Sequence, residues 1–208
     1  MNTKQKNISQ EKIKLGFLAS GRGSNMLAIL NDCKLGKLDA EPAVVISNNA
    51  DAGALEYAHE AGIPAFHLSS KTNEDESALD QEITNTLNLH KVDWVILAGY
   101  MKKVGPKLLE GYKGRIFNIH PSLLPEHGGK GMFGIHVHEA VLASGDTETG
   151  VTIHLVDGEY DQGRILAQER VPVEDGDTPE SLAARVLKVE HQLYSETLQG
   201  VIEGRISL

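Results

Sequence analysis

A chain of 208 residues, 40% of them hydrophobic, is long enough to bury the core of one domain of moderate size. Its net charge of −9 argues against nucleic-acid partners, which are held by a positive surface that neutralises phosphates. Small anions stay open, because backbone amides and a few basic side chains can hold a phosphate on an acidic protein. The single cysteine, Cys33, excludes an internal disulfide and fits a reducing, cytoplasmic setting. The polar N-terminus does not read as a secretory leader. No run approaches the roughly 18 apolar residues that a membrane span needs, so no membrane partner is expected.

Residues 1–12 read as a polar tail and residues 13–208 as one domain. Lys14–Ala19 is an apolar first strand, followed by Ser20-Gly21-Arg22-Gly23-Ser24-Asn25 and a helix to about Lys34. Pro42–Ser47 is the next strand. Asn48–Asp51 then opens a helix through Ala61, which Gly62 closes and Pro64 stops. Ala65–Leu68 is a short strand, residues 74–89 a helix, Val92–Leu97 an apolar strand and Arg115–His120 another. Alternating strands and helices give an α/β fold: an open, mainly parallel twisted sheet of about seven strands, flanked by helices. Gly150–Val156 and Arg164–Val171, joined only by a loop, give it an antiparallel edge in the C-terminal third. A last helix starts at Asp177-Thr178-Pro179-Glu180, with Thr178 as cap, and runs to about residue 203.

Three segments carry candidate chemistry. The Gly21-x-Gly23-Ser24-Asn25 loop lacks both the full dinucleotide fingerprint and the Lys-Ser/Thr of a P-loop. Lying where a strand passes into a helix, it suits an anion at the helix's positive end or an ordinary turn equally well. Asn118 and His120, two residues apart on a strand, project together at its carboxyl end. An amide and an imidazolium there can both donate to a developing oxyanion, or can merely satisfy local backbone groups. In Asp157-Gly158-Glu159-Tyr160-Asp161, the first two acids fit a solvated turn. Asp161 is the candidate to hold the His120 ring and favour its protonated form. The glycine-rich stretch Glu126–Gly134 reads as a lid or a long surface loop. No metal site is expected: His136 and His138 would splay apart on a helix, and no H-E-x-x-H or cysteine ligand set occurs. Cys33, inside a helix, is a poor nucleophile candidate, and there is no G-x-S-x-G.

Taken in order, Gly21-x-Gly23-Ser24-Asn25, Ala98-Gly99-Tyr100-Met101, Asn118-Ile119-His120-Pro121-Ser122-Leu123-Leu124-Pro125 and Asp161-x-Gly163 resemble the folate-dependent phosphoribosylglycinamide formyltransferases. The resemblance runs from about Lys14 to about Ile206. It implies transfer of a formyl group from 10-formyltetrahydrofolate, a co-substrate, to the glycine amine of 5′-phosphoribosylglycinamide in purine synthesis. It also implies roles for individual residues. Asn118, His120 and Asp161 would be catalytic, with Asp161 raising the pKa of the histidine. Gly23, Ser24, Asn25 and Glu190 would hold the ribotide, and Met101, Lys102, Lys103, Val104 and Asn118 the folate.

The sequence departs from the family's habit in several places. It has Lys102-Lys103 where arginine and an aliphatic residue are common, Leu155 where an aromatic is common, and Gly158 where an acid is common. Its glycine-rich stretch is longer than in some members and contains Lys130, which could approach a substrate anion. Two alternatives share parts of the pattern: a 10-formyltetrahydrofolate deformylase, which uses the same centre with water as acceptor, and a non-catalytic nucleotide-binding module, which needs only the glycine loop.

Overall fold

The computed structural model describes residues 11–208, so the first ten residues of the expected tail lie outside it. Among the described residues, seven strands form one sheet in the order β3-β2-β1-β4-β5-β6-β7. In chain order the elements are β1 (Ile13–Ala19), α1 (Ser24–Lys34), β2 (Ala40–Ser47), α2 (Gly53–Glu60), β3 (Ala65–His67), α3 (Glu76–Leu89), β4 (Trp94–Leu97), α4 (Pro106–Gly111), β5 (Ile116–His120), α5 (Ile135–Ser144), β6 (Glu148–Leu155), β7 (Ile165–Pro172) and α6 (Pro179–Ile202). The first five strands pair in parallel, whereas β6 runs antiparallel to both β5 and β7. The expected mainly parallel sheet with an antiparallel edge is the observed fold.

Strand periodicity sorts the core into two layers. On β1, Leu15, Phe17 and Ala19 point to one face and Leu18 to the other; Val45 and Ile46, and Ile96 and Val95, divide in the same way. One layer is completed by α1, α2, α5 and α6, the other by α3 and α4. Complete burial of a side chain such as Phe17 or Leu18 is worth about 1.5–3 kcal/mol, so this alternation fixes the register strongly. Chain order reverses between β1 and β4, so the carboxyl ends of these strands diverge there and leave a crevice.

One helix start and one helix differ from expectation. Residues 48–51 form a turn, and α2 begins only at Gly53, because Asn49 is used to hold the preceding loop: its amide donates to the Ser20 carbonyl at 2.5 Å. The helix α4 is six residues long, too short to reveal a period, and the sequence reading did not anticipate it. At α6 the expectation holds in detail. Thr178 caps the helix, accepting from Ser181 N at 3.2 Å while Ser181 Oγ accepts from Thr178 N, and Pro179 takes the first turn.

Candidate active site

A cavity of about 1200 Å³ opens at the carboxyl ends of β1, β4 and β5 and is closed on one side by α6. Its floor begins at Gly23, the residue before α1. Gly23 has φ 75°, and a Cβ there would lie 2.8 Å from Ala54 Cβ, so both the turn and the approach of α2 require glycine. Ser24 and Asn25 start the helix and line the cavity, with their amides at its positive end. Asn25 donates to Glu190 on α6 at 2.6 Å. Burial raises the Glu190 carboxyl above its ordinary value, and the Asn25 bond offsets only part of this. Tyr194, one turn further along α6, is buried and donates to the Phe117 carbonyl at 2.9 Å, which fixes α6 over the sheet.

Ser20 joins three loops. Its hydroxyl donates to Asn48 Oδ1 at 2.5 Å and accepts from Met101 N at 2.7 Å. The expected folate segment is thereby tied to the ends of β1 and β2. Met101, Lys102, Lys103 and Val104 all line the cavity; the first three are exposed and Val104 is buried. Tyr100 beside them is pushed up to about 12, chiefly by burial, and stays a neutral phenol.

The reactive-looking groups meet where β5 pairs with β6. Asn118 lies opposite His154, and paired residues of an antiparallel ladder share a face. Asn118 Nδ2 is 3.0 Å from His154 Nε2. His154 Nδ1 is 2.9 Å from the Leu155 carbonyl, which can only accept, so Nδ1 carries a proton. In the neutral tautomer Nε2 then accepts from the Asn118 amide and leaves its second N–H for the cavity. His120 is similarly fixed: Nε2 donates to the His127 carbonyl at 2.9 Å, and Nδ1 faces Asp161 Oδ2 at 3.5 Å. The other Asp161 oxygen lies 3.5 Å from His154 Nε2, and Gly129 N donates to Oδ2 at 2.9 Å. Asp161 thus stands between both rings and the glycine-rich stretch.

Local backbone explains how Asp161 arrives there. It adopts φ 57°, a left-handed conformation that aspartate tolerates better than most residues. At Gly163 a Cβ would collide with the Leu155 carbonyl oxygen, so only glycine lets the 156–164 loop fold back against β6. The turn after His120 is pinned by Thr152 on β6, which accepts from Leu124 N at 3.0 Å and donates to the Ser122 carbonyl at 2.7 Å.

The electrostatics correct one expectation. Burial is the largest influence on His120 and pushes its pKa below the ordinary 6.5; Asp161 and the His127 carbonyl pull it up, but by less. The ring at rest is therefore neutral near pH 7, not the protonated form that the Asp161 pairing alone would favour. Burial would raise Asp161, yet His154, His120 and the Gly129 amide together hold it below its ordinary value, as a carboxylate. Cys33 is pushed up to about 11, chiefly by burial, and is no ready nucleophile. His136 is exposed and His138 buried, so the two part as expected, and Asp157 and Glu159 are solvent-facing.

All the expected site residues thus line one cavity: Gly23, Ser24, Asn25 and Glu190, Met101–Val104, and Asn118, His120 and Asp161. Sequence reasoning missed His154, Ser20 and Thr152 as members of the site. His154 was visible only as one of several histidines, because its role depends on the β5–β6 register.

Comparison with known proteins bears on this arrangement. Residues 13–198 match the Formyl transferase family. A chloroplastic phosphoribosylglycinamide formyltransferase of Vigna unguiculata is 44% identical over 199 residues, covering 96% of this chain and 64% of the relative. The phosphoribosylglycinamide formyltransferase of Escherichia coli K12 is 38% identical over 191 residues, covering 92% of this chain and 88% of the relative. The chain therefore spans slightly less than two thirds of the plant protein's length but most of the bacterial one's. Among solved structures, glycinamide ribonucleotide transformylase 1 from Symbiobacterium toebii superposes with a TM-score of 0.90 at 38% identity, covering 98% of this chain and 94% of that one. This chain belongs to the Formyl transferase family.

Proposed function

We propose that this protein transfers the formyl group of 10-formyltetrahydrofolate to the glycine amine of 5′-phosphoribosylglycinamide, a step of purine biosynthesis. The observation that carries the reading is the shared cavity: Asn118, His120 and Asp161 converge in the same cavity that the Gly23–Asn25 helix start and the Met101–Val104 segment line. The relatives' names give the same acceptor and formyl transfer to it. With the ribotide phosphate at Gly23, Ser24 and Asn25, and Glu190 beyond them, its amine reaches the centre. The folate lies along Met101, Lys102, Lys103 and Val104. Among the described residues no helix is long and apolar enough to cross a membrane. On this reading the enzyme works on small molecules in the cytoplasm, without nucleic acid.

In the reaction the amine nitrogen attacks the formyl carbon, and the carbonyl electron pair moves to oxygen. The free N–H of Asn118 donates to that oxygen, a contact that strengthens as charge develops. His120 is neutral at rest, so it can accept the proton that the attacking nitrogen must lose. Growing negative charge beside it, added to Asp161, raises its affinity for that proton. The imidazolium then protonates the folate nitrogen, the carbon–nitrogen bond to folate breaks, and the formylated ribotide and tetrahydrofolate leave. His154 serves as a positioning residue that turns the Asn118 amide into the cavity.

Purified protein incubated with 10-formyltetrahydrofolate, with and without the ribotide, tests the reading through tetrahydrofolate formation. Turnover that depends on the ribotide is expected. Equal folate release without it indicates a deformylase, and no turnover with either indicates a binding module; each result would overturn the proposal.

A further inference from the structure

The cavity wall formed by α6 carries Glu180, Ala183, Ala184, Leu187 and Glu190, and offers no cation to a phosphate. Four lysine and arginine side chains line the cavity elsewhere: Arg22, Lys102, Lys103 and Lys130. The first three also border a neighbouring cavity of about 1420 Å³ between β2, α3 and α4, whereas Lys130 lines the main cavity alone. Gly23, Ser24 and Asn25 have the same distribution: they line the main cavity and not its neighbour. Lys130 and Gly23–Asn25 thus line the same cavity, and Lys130 is the one lysine or arginine of its lining that does not also border the second. Among the described residues Lys130 takes part in no ion pair.

The backbone around Lys130 is organised. Met132 N donates to the Gly129 carbonyl at 3.0 Å, closing a four-residue turn with Lys130 and Gly131 at its tip. Gly131 has φ 92°, as the third residue of such a turn requires when its chain direction reverses through the left-handed region. The base of the turn is tied to the reaction centre, because Gly129 N donates to Asp161 and the His127 carbonyl accepts from His120.

We infer that Lys130 is the cation that selects a phosphorylated acceptor, reaching from the glycine-rich turn to the phosphate held at Gly23–Asn25. The inference rests on the ribotide reading given above. An ammonium on a flexible stem suits this task, since it acts as a point charge and needs no fixed plane. Because the same glycine-rich stretch holds Asp161 through Gly129 and His120 through His127, a phosphate bound by Lys130 also steadies the groups that do the chemistry. Binding energy from a part of the substrate that does not react thereby aligns the part that does.

The test uses ribose 5-phosphate as probe, titrated calorimetrically into the wild-type protein, Lys130→Ala and Lys130→Arg. Lys130→Ala should weaken binding about tenfold, the scale of one charge-assisted contact at a partly exposed site, and Lys130→Arg should restore most of it. Lys130 is exposed, and unchanged melting temperatures will separate lost binding from lost folding. Equal affinity of wild type and Lys130→Ala, or no binding of the probe by wild type, overturns the inference. In the transfer assay Lys130→Ala should raise KM for the ribotide much more than KM for the folate; an equal rise in both would also overturn it. A wild-type protein that binds ribose 5-phosphate through Lys130 yet transfers no formyl group would contradict the proposed function and leave this inference standing.

Discussion

The two sides of the cleft are built differently. On the β1–β2–β4 side the strands are parallel, and each functional group sits at or just beyond a strand end, on a helix start or a short loop. Gly23 and Asn25 depend on one turn and one helix. On the β5–β6–β7 side the strands are antiparallel, and the functional groups depend on cross-strand register: Asn118 meets His154, His120 pairs with Thr152, and Asp161 returns over both. The first arrangement presents backbone amides, which suits holding an anion. The second presents side chains of opposed character at short range, which suits moving protons. On the proposed function, binding and chemistry thereby fall to different construction principles within one sheet.

Substitutions at the centre should break this contrast most sharply. Asn118→Ala and Asp161→Asn should each lower kcat about 10²–10³-fold, the scale of losing one oxyanion donor, with little change in melting temperature. Asparagine also tolerates the left-handed backbone at position 161, so the second variant keeps its fold. Steady-state kinetics beside thermal denaturation checks both, and near-normal turnover in the pair would remove them from the reaction.

On the binding side the reverse pattern is expected. Gly23→Ala forces a left-handed φ on alanine and presses its Cβ against Ala54, so it should cost about 2 kcal/mol of stability and raise KM for the ribotide more than it lowers kcat. Denaturant unfolding and kinetics together would show it; an unchanged midpoint would mean that the turn can relax. His154→Phe comes next in size. It removes the acceptor that orients Asn118 while keeping bulk, and should lower kcat about tenfold with KM nearly constant.

The smallest effect concerns protons. An NMR titration of the His120 ring in the ligand-free protein should give a midpoint below 6.5, and Asp161→Asn should move it lower still, since the carboxylate is what pulls it up. The folded state binds the His120 proton less readily than the unfolded chain does, so this group weakens the fold as pH falls below 6.5. Asp161, held below its ordinary 3.8, contributes stability that is present above that value and is lost as pH falls through its lowered folded pKa.

The same division governs what could be read from the sequence. Strand periodicity, Gly62, the Thr178-Pro179 start and the glycine loop are local signals, and they yielded the sheet and one end of the cavity. Asn118 and His120 were paired by spacing, because two residues of one strand share a face. Asp161 was placed beside them by resemblance alone. Its position depends on a left-handed residue and on Gly163 fitting under Leu155, neither of which has a period. His154 and Thr152 were illegible as site members, since a one-residue slip between β5 and β6 would have turned them to the other face. The protonation of His120 was misread for a related reason: the partner Asp161 could be named in sequence, but the burial that outweighs it is a property of the packed cavity.

On the proposed function the formyl carbon passes directly to an amine held in this cavity. The most direct measurement follows the carbon itself, using 10-formyltetrahydrofolate labelled with ¹³C in the formyl group and mass analysis of the products formed with the ribotide present. The label is expected in the formyl amide of the ribotide, in step with tetrahydrofolate. Recovery of the label as free formate would contradict it.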